Sequence, residues 1–128
     1  MLLLDSHILL WWLDDDPRLP GLVREAILDE DAVVYVSAAT VWEIEIKVAA
    51  GRLEIGQGDI LHEIVSGNFA PLAVTVEHAA HAARLPHIHS DPFDRMLVAQ
   101  AQLEHLTLAT VDADARRYDV SVIPPTRA

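Results

Sequence analysis

MLLLDSHILLWWL, residues 1–13, sets a short apolar run, a single acid and an apolar helical stretch in immediate succession. Leu2, Leu3 and Leu4 offer no polar face, so residues 2–5 read as a strand covered on both sides, with Asp5 at its end. His7–Leu13 then reads as a helix. The pattern recurs along the chain. A helix over Gly21–Leu28 follows a break made by Asp14, Asp15, Asp16, Pro17 and Pro20. Val33–Val36 is a second strand, and Ser37 caps a helix over 38–50 that Gly51 closes. Residues 56–67 read as a helix between glycines, Leu72–Thr75 as a strand, and Glu77–Arg84 as a helix stopped by Pro86. Asp91 and Pro92 open a helix over 92–105, a cap followed by proline at the first position. Thr107–Ala109 and Val120–Ile123 complete the strands, with a short helix near 113–118. Short apolar strands alternating with helices predict one α/β domain over residues 1–128, with a central, mostly parallel sheet of about five strands flanked by helices.

Composition narrows the function. Hydrophobic residues make up 52% of the 128, enough to bury a core and too many for a disordered chain. The absence of cysteine removes disulfides, thiolate metal sites and cysteine nucleophiles, and fits a reducing, cytoplasmic setting. No stretch approaches the roughly 20 apolar residues of a membrane span. The early Asp5 and the lack of a basic leader argue against a signal peptide. The net charge is −11, with nine Lys and Arg in total, which excludes coating a nucleic acid by electrostatics alone. Such a chain either avoids nucleic acid or meets a phosphodiester through bound metal ions, which invert the local charge. The same balance favours a basic protein partner.

Four acids stand where apolar elements give way: Asp5, Glu43, Asp94 and Asp112. In parallel sheets ligands bind beyond the carboxyl ends of the strands, and Asp5 and Asp112 lie at or just past such ends. Each acid also has a plain structural reading. Glu43 is one turn from Lys47, an ion-pair spacing. Asp91 is an N-cap, and Asp94 sits in the first turn, where a carboxylate favours the helix dipole. Arg95 either neutralises Asp94 or touches phosphate. Asp112 suits a turn or cap before ADARRY, with Asp114 as its rival. Asp5 is the least compensated, with only Ser6 beside it. His87 and His89, in a loop, read as structural or solvent-facing. Carboxylates brought together repel and raise one another's pKa, and a hard divalent cation resolves this. A Mg²⁺ site of this kind orients and activates water and stabilises the leaving oxygen of a phosphodiester displacement.

At these residues the chain resembles a known family. LLLDSHILLWWL, VSAATVWEIEIKVAAGRL, LPHIHSDPFDRMLVAQA and LATVDADARRYDV look like the successive blocks of PIN-domain proteins, in particular the VapC-type toxins of bacterial toxin–antitoxin pairs. The likeness spans nearly the whole chain, and HSDPFDRMLVAQA is its most specific piece. It implies a flavodoxin-like sheet and a Mg²⁺- or Mn²⁺-dependent endoribonuclease acting on RNA. It carries the site onto Asp5, Glu43, Asp94 and Asp112, with Ser6 and Thr110 orienting the acids and Asp91 behind them. It also implies a cognate antitoxin as partner, and commonly a homodimer, with Ile8, Leu9, Trp11 and Trp12 as a candidate contact surface. Two rivals belong to other classes. A catalytically inactive PIN-like binding module would lack some of the four acids. A phosphoacceptor receiver domain needs an acidic pair after the first strand and a lysine near the last, whereas Lys47 is the one lysine of the chain.

Overall fold

The computed structural model describes residues 1–56 and 58–126. Its sheet is built from β1 (Leu2–Leu4), β2 (Val34–Ser37), β3 (Ala70–Leu72), β4 (Thr107–Ala109) and β5 (Val122–Ile123). The helices are α1 (Ser6–Leu13), α2 (Gly21–Leu28), α3 (Ala38–Ala49), α4 (Ile60–Ser66), α5 (Val76–Arg84) and α6 (Pro92–Glu104), with a 3₁₀ turn at Ala115–Arg117. No described helix is long and apolar enough to cross a membrane.

All strand pairings among these elements are parallel, in the order β3-β2-β1-β4-β5. The chain steps outward from β1 through β2 to β3, then returns to lay β4 on the other side of β1. That order differs from the 2-1-3-4-5 arrangement of flavodoxin, and its reversal falls between β1 and β4. The carboxyl ends of those two strands therefore border the crevice where ligands bind in such sheets. Leu4 lies opposite Ala109, and the Asp5 N–H donates to the Ala109 carbonyl at 3.1 Å, so Asp5 and Thr110 emerge side by side.

β1 is buried on both faces, as its three leucines require. Leu2 and Leu4 pack with Val34, Val36, Ile8, Leu9, Val23, Ile44, Ile60 and Phe69. Leu3 faces the opposite layer with Leu97, Val98, Ala101, Leu108 and Tyr118. The result is a sheet between α1, α2, α3 and α4 on one side and α5 and α6 on the other.

Most expected elements form, with shifted ends. Asp5 leaves the strand and caps α1, which starts at Ser6. Gly51 takes φ +72° just past α3, a left-handed conformation that glycine adopts without Cβ strain. α4 is shorter than residues 56–67, because Asp59 caps it by accepting the His62 N–H at 2.8 Å; Gln57, within the expected span, lies outside the described residues. The strand expected at Leu72–Thr75 instead covers Ala70–Leu72. Thr75 is drawn into capping α5: its hydroxyl accepts the His78 N–H while His78 Nδ1 accepts the Thr75 N–H. That reciprocal cap uses histidine where Glu or Gln is the usual signal, so sequence alone does not reveal it.

Burial ranks the positions energetically. Leu3→Ala is expected to lose about 2–5 kcal/mol of stability, read from urea unfolding, because Leu3 has no exposed surface. Val65→Ala, at a site 80% exposed, should change it by less than about 0.5 kcal/mol. Equal losses at the two positions would contradict this core.

Candidate active site

Each acid at the crevice is held by the start of a helix or turn. Asp5 is the N-cap of α1, its Oδ1 accepting the Ile8 N–H at 2.8 Å. Asp112 Oδ1 accepts the N–H groups of Asp114 at 3.0 Å and Ala115 at 2.9 Å, which opens the 3₁₀ turn. The expected cap role of Asp112 is therefore real, and Asp114 points instead toward Arg117. Asp91 caps α6, accepting the Phe93 N–H at 2.8 Å, and Pro92 follows at the first helical position. Asp94 then lies in the first turn of α6.

These caps bring Asp5, Asp94 and Asp112 within electrostatic reach of one another. Burial is the main force pushing the Asp94 carboxyl up, to about 7, with Asp91, Asp5 and Asp112 adding to the rise and His89 opposing it. Burial likewise raises Asp5, against the Thr110 hydroxyl and the Ile8 N–H, which favour its ionised form. Thr110 also ties the two sides together, since its Oγ1 accepts the Asp112 N–H at 3.0 Å. Ser6 is buried beside Asp5, but among the described residues no hydrogen bond joins its hydroxyl to any of the acids.

Glu43 stands apart. It is not among the charges that shift Asp94, and its Oε2 pairs with Lys47 Nζ at 3.1 Å. Yet the residue is buried, and its Oε1 has no hydrogen-bond partner. One turn earlier on the same helix, the buried Thr40 hydroxyl is also without a partner. Two orphaned oxygens at i and i+3 on one helix face are costly unless a ligand or ordered water meets them. Trp42 and Phe93 touch edge to face at 5.4 Å, which brings the stretches bearing Glu43 and Asp94 alongside.

Two expectations need correction. Arg95 neither pairs with Asp94 nor faces a phosphate. Its buried guanidinium donates to the carbonyls of Ala82, Leu85, Pro86 and His89 and to the Tyr118 hydroxyl, so its charge is absorbed in fixing the segment between α5 and α6. His89 is not a solvent-facing loop residue. Its Nε2 lies 3.0 Å from Asp94 Oδ2 and 3.1 Å from Asp112 Oδ1. One donor atom from each of these three residues falls within 4.8 Å of the others. The closeness of His89 to the DPFDR block was the only sequence signal for it.

The closely set Asp94 and Asp112 oxygens, the orphaned Glu43 oxygen and the raised Asp94 carboxyl fit a hard divalent cation. Residues 2–121 match the family model described as PIN domain. The chain belongs to the PIN-domain family. Among solved structures, this PIN domain is similar to a toxin–antitoxin complex from Klebsiella pneumoniae, at TM-score 0.69 and 16% identity over 100% of both chains. It is also similar to FitAcB from Neisseria gonorrhoeae, at TM-score 0.61 and 26% identity over 95% of this chain and 96% of that one. VapBC2 from Rickettsia felis, bound to a promoter DNA fragment, matches at TM-score 0.66 and 12% identity, covering 94% and 96% of the two chains. At 12% and 16% identity the likeness is one of fold. No curated protein sequence matches the chain.

The raised Asp94 carboxyl contributes a pH dependence to the stability of the cation-free PIN domain. Folded, Asp94 keeps its proton up to about pH 7, while unfolded it loses it near 3.8. The folded form thus binds more protons between those values, and stability falls as pH rises through the window. In EDTA, melting temperature is expected to be higher at about pH 5 than at about pH 7.5. Asp94→Asn should flatten that dependence and raise the melting temperature at the higher pH. A clear drop there would show that its favourable position at the helix N-terminus outweighs the repulsion.

Proposed function

We propose that this PIN domain is a Mg²⁺- or Mn²⁺-dependent endoribonuclease and the toxin of a toxin–antitoxin pair. The observation that carries the reading is the closeness of Asp94 and Asp112 at the crevice where the sheet order reverses, with Asp5 beside Thr110, whose hydroxyl accepts the Asp112 N–H. Asp94 and Asp112 would hold the cation directly. Asp5 adds charge from the neighbouring strand end, and Glu43 Oε1 is the buried acceptor still lacking a partner. A bound divalent cation supplies an activated water and neutralises charge developing on the phosphate. The chain's own part is placement. N–H groups at the starts of α1 and the 3₁₀ turn hold Asp5 and Asp112 in fixed rotamers, and Thr110 sets the spacing between them. No protein nucleophile is required.

With a net charge of −11, such a site admits a phosphodiester only when a cation reverses the local field. RNA as the substrate rests on the family likeness, because carboxylates and a metal recognise the phosphodiester alone. The antitoxin partner is supported by a neighbour described as a toxin–antitoxin complex, and a homodimer rests on the family likeness alone. The expected contact surface is altered by the fold: Ile8 and Leu9 are wholly buried, and only Trp11 and Trp12 are partly open. Arg18 and Arg24 lie 5.2 and 5.9 Å from those two ring centroids.

Incubation of the purified chain with mixed RNA and DNA pools and Mn²⁺, followed by sequencing of cut ends, tests the activity. RNA cleavage is expected, and it should stop in EDTA. Asp94→Asn and Asp112→Asn should each lower it by about 100-fold or more. Undiminished cutting by both variants would refute the assignment. Cation binding with no cleavage of any RNA would favour a binding module.

A further inference from the structure

Resting on that reading of the acid site, we propose that His89 is a positioning residue that holds Asp94 and Asp112 together through its Nε2–H, and that it is not a ligand of the cation. The ring's hydrogen-bond network assigns its proton. Nδ1 accepts the Asp91 N–H at 3.1 Å, so it carries no hydrogen. The proton of the ring therefore sits on Nε2, the atom placed 3.0 Å from Asp94 Oδ2 and 3.1 Å from Asp112 Oδ1. A nitrogen that bears hydrogen has no lone pair for a metal. Neither oxygen is aligned with the N–H well enough for a directed hydrogen bond, so the contact is one of charge with dipole, shared between two repelling carboxylates.

The surroundings fix the ring in this role. The His89 backbone N–H donates to the Tyr118 hydroxyl at 3.0 Å, and its carbonyl accepts from Arg95 Nη1 at 3.4 Å. Tyr118 in turn donates to the Pro86 carbonyl at 2.7 Å and accepts from Arg95 Nη1 at 3.2 Å. The imidazole is thus gripped at its backbone from below and at Nδ1 from the cap of α6. Asp91 serves twice, its carboxylate starting the helix that bears Asp94 and its N–H selecting the His89 tautomer. Any other ring orientation would forfeit one of these bonds.

His89→Gln and His89→Ala separate the two roles, because glutamine supplies an N–H at similar reach without an imidazole lone pair. In EDTA, His89→Ala should lower the melting temperature by about 4 °C or more, and His89→Gln by only about 1 °C. Titration with Mn²⁺ in a calorimeter should show about 10-fold weaker binding in His89→Ala and near-parental binding in His89→Gln. Pulsed electron paramagnetic resonance of the Mn²⁺-loaded parent should show no directly coordinated ¹⁴N. A coordinated nitrogen signal that disappears in His89→Gln would overturn the proposal, as would equal losses of melting temperature in the two variants. Failure of every form to bind Mn²⁺ would sink the nuclease reading, and the melting comparison in EDTA would still decide the role of His89.

Discussion

Mutual repulsion among carboxylates at the mouth of β1 and β4 is the constraint around which this molecule is arranged. The fold tolerates it because each acid is paired with the positive end of a helix or turn. Asp5 starts α1, Asp91 starts α6 with Asp94 in its first turn, and Asp112 starts the 3₁₀ turn. Backbone N–H groups at such ends carry partial positive charge and point at the anions. Their convergence follows from topology, since a parallel sheet directs every following helix start to the same edge. The reversal between β1 and β4 then opens the gap into which they project. The repulsion is offset without being abolished: burial does most to raise the Asp94 carboxyl, and the charges of Asp91, Asp5 and Asp112 add to it.

Much of this was legible in the chain. Three leucines followed by an aspartate read as a strand covered on both faces with an acid at its tip, and β1 is that strand. Asp91–Pro92 marks a helix start through the stereochemistry of proline, and the structure places α6 at that position. Local signals of this kind depend on neighbours within a few residues, so they survive folding.

What escaped the sequence depends on distant partners. Arg95 adjoins Asp94 in the chain but points the other way, because successive helix residues differ by about 100°, and its carbonyl acceptors come from α5 and the following loop. His89 gains its place only when the segment carrying it is pinned by Tyr118, a residue 29 positions away. Thr75 has strand propensity, yet a reciprocal bond with His78 draws it into a helix cap. The Glu43–Lys47 pair was readable from spacing, whereas the burial that leaves Oε1 without a partner was not.

The grip of Arg95 on four carbonyls bears on how this chain can vary among descendants. A guanidinium bonded to Ala82, Leu85, Pro86 and His89 fixes both the length and the path of the connection between α5 and α6. One residue added or removed there would shift carbonyls out of the fork and carry the imidazole away from the crevice. Among the described residues between α3 and α4 no guanidinium fork grips the backbone in this way, and Gly56 has open space about it. Length polymorphism should therefore collect in that stretch and be purged from the segment preceding α6.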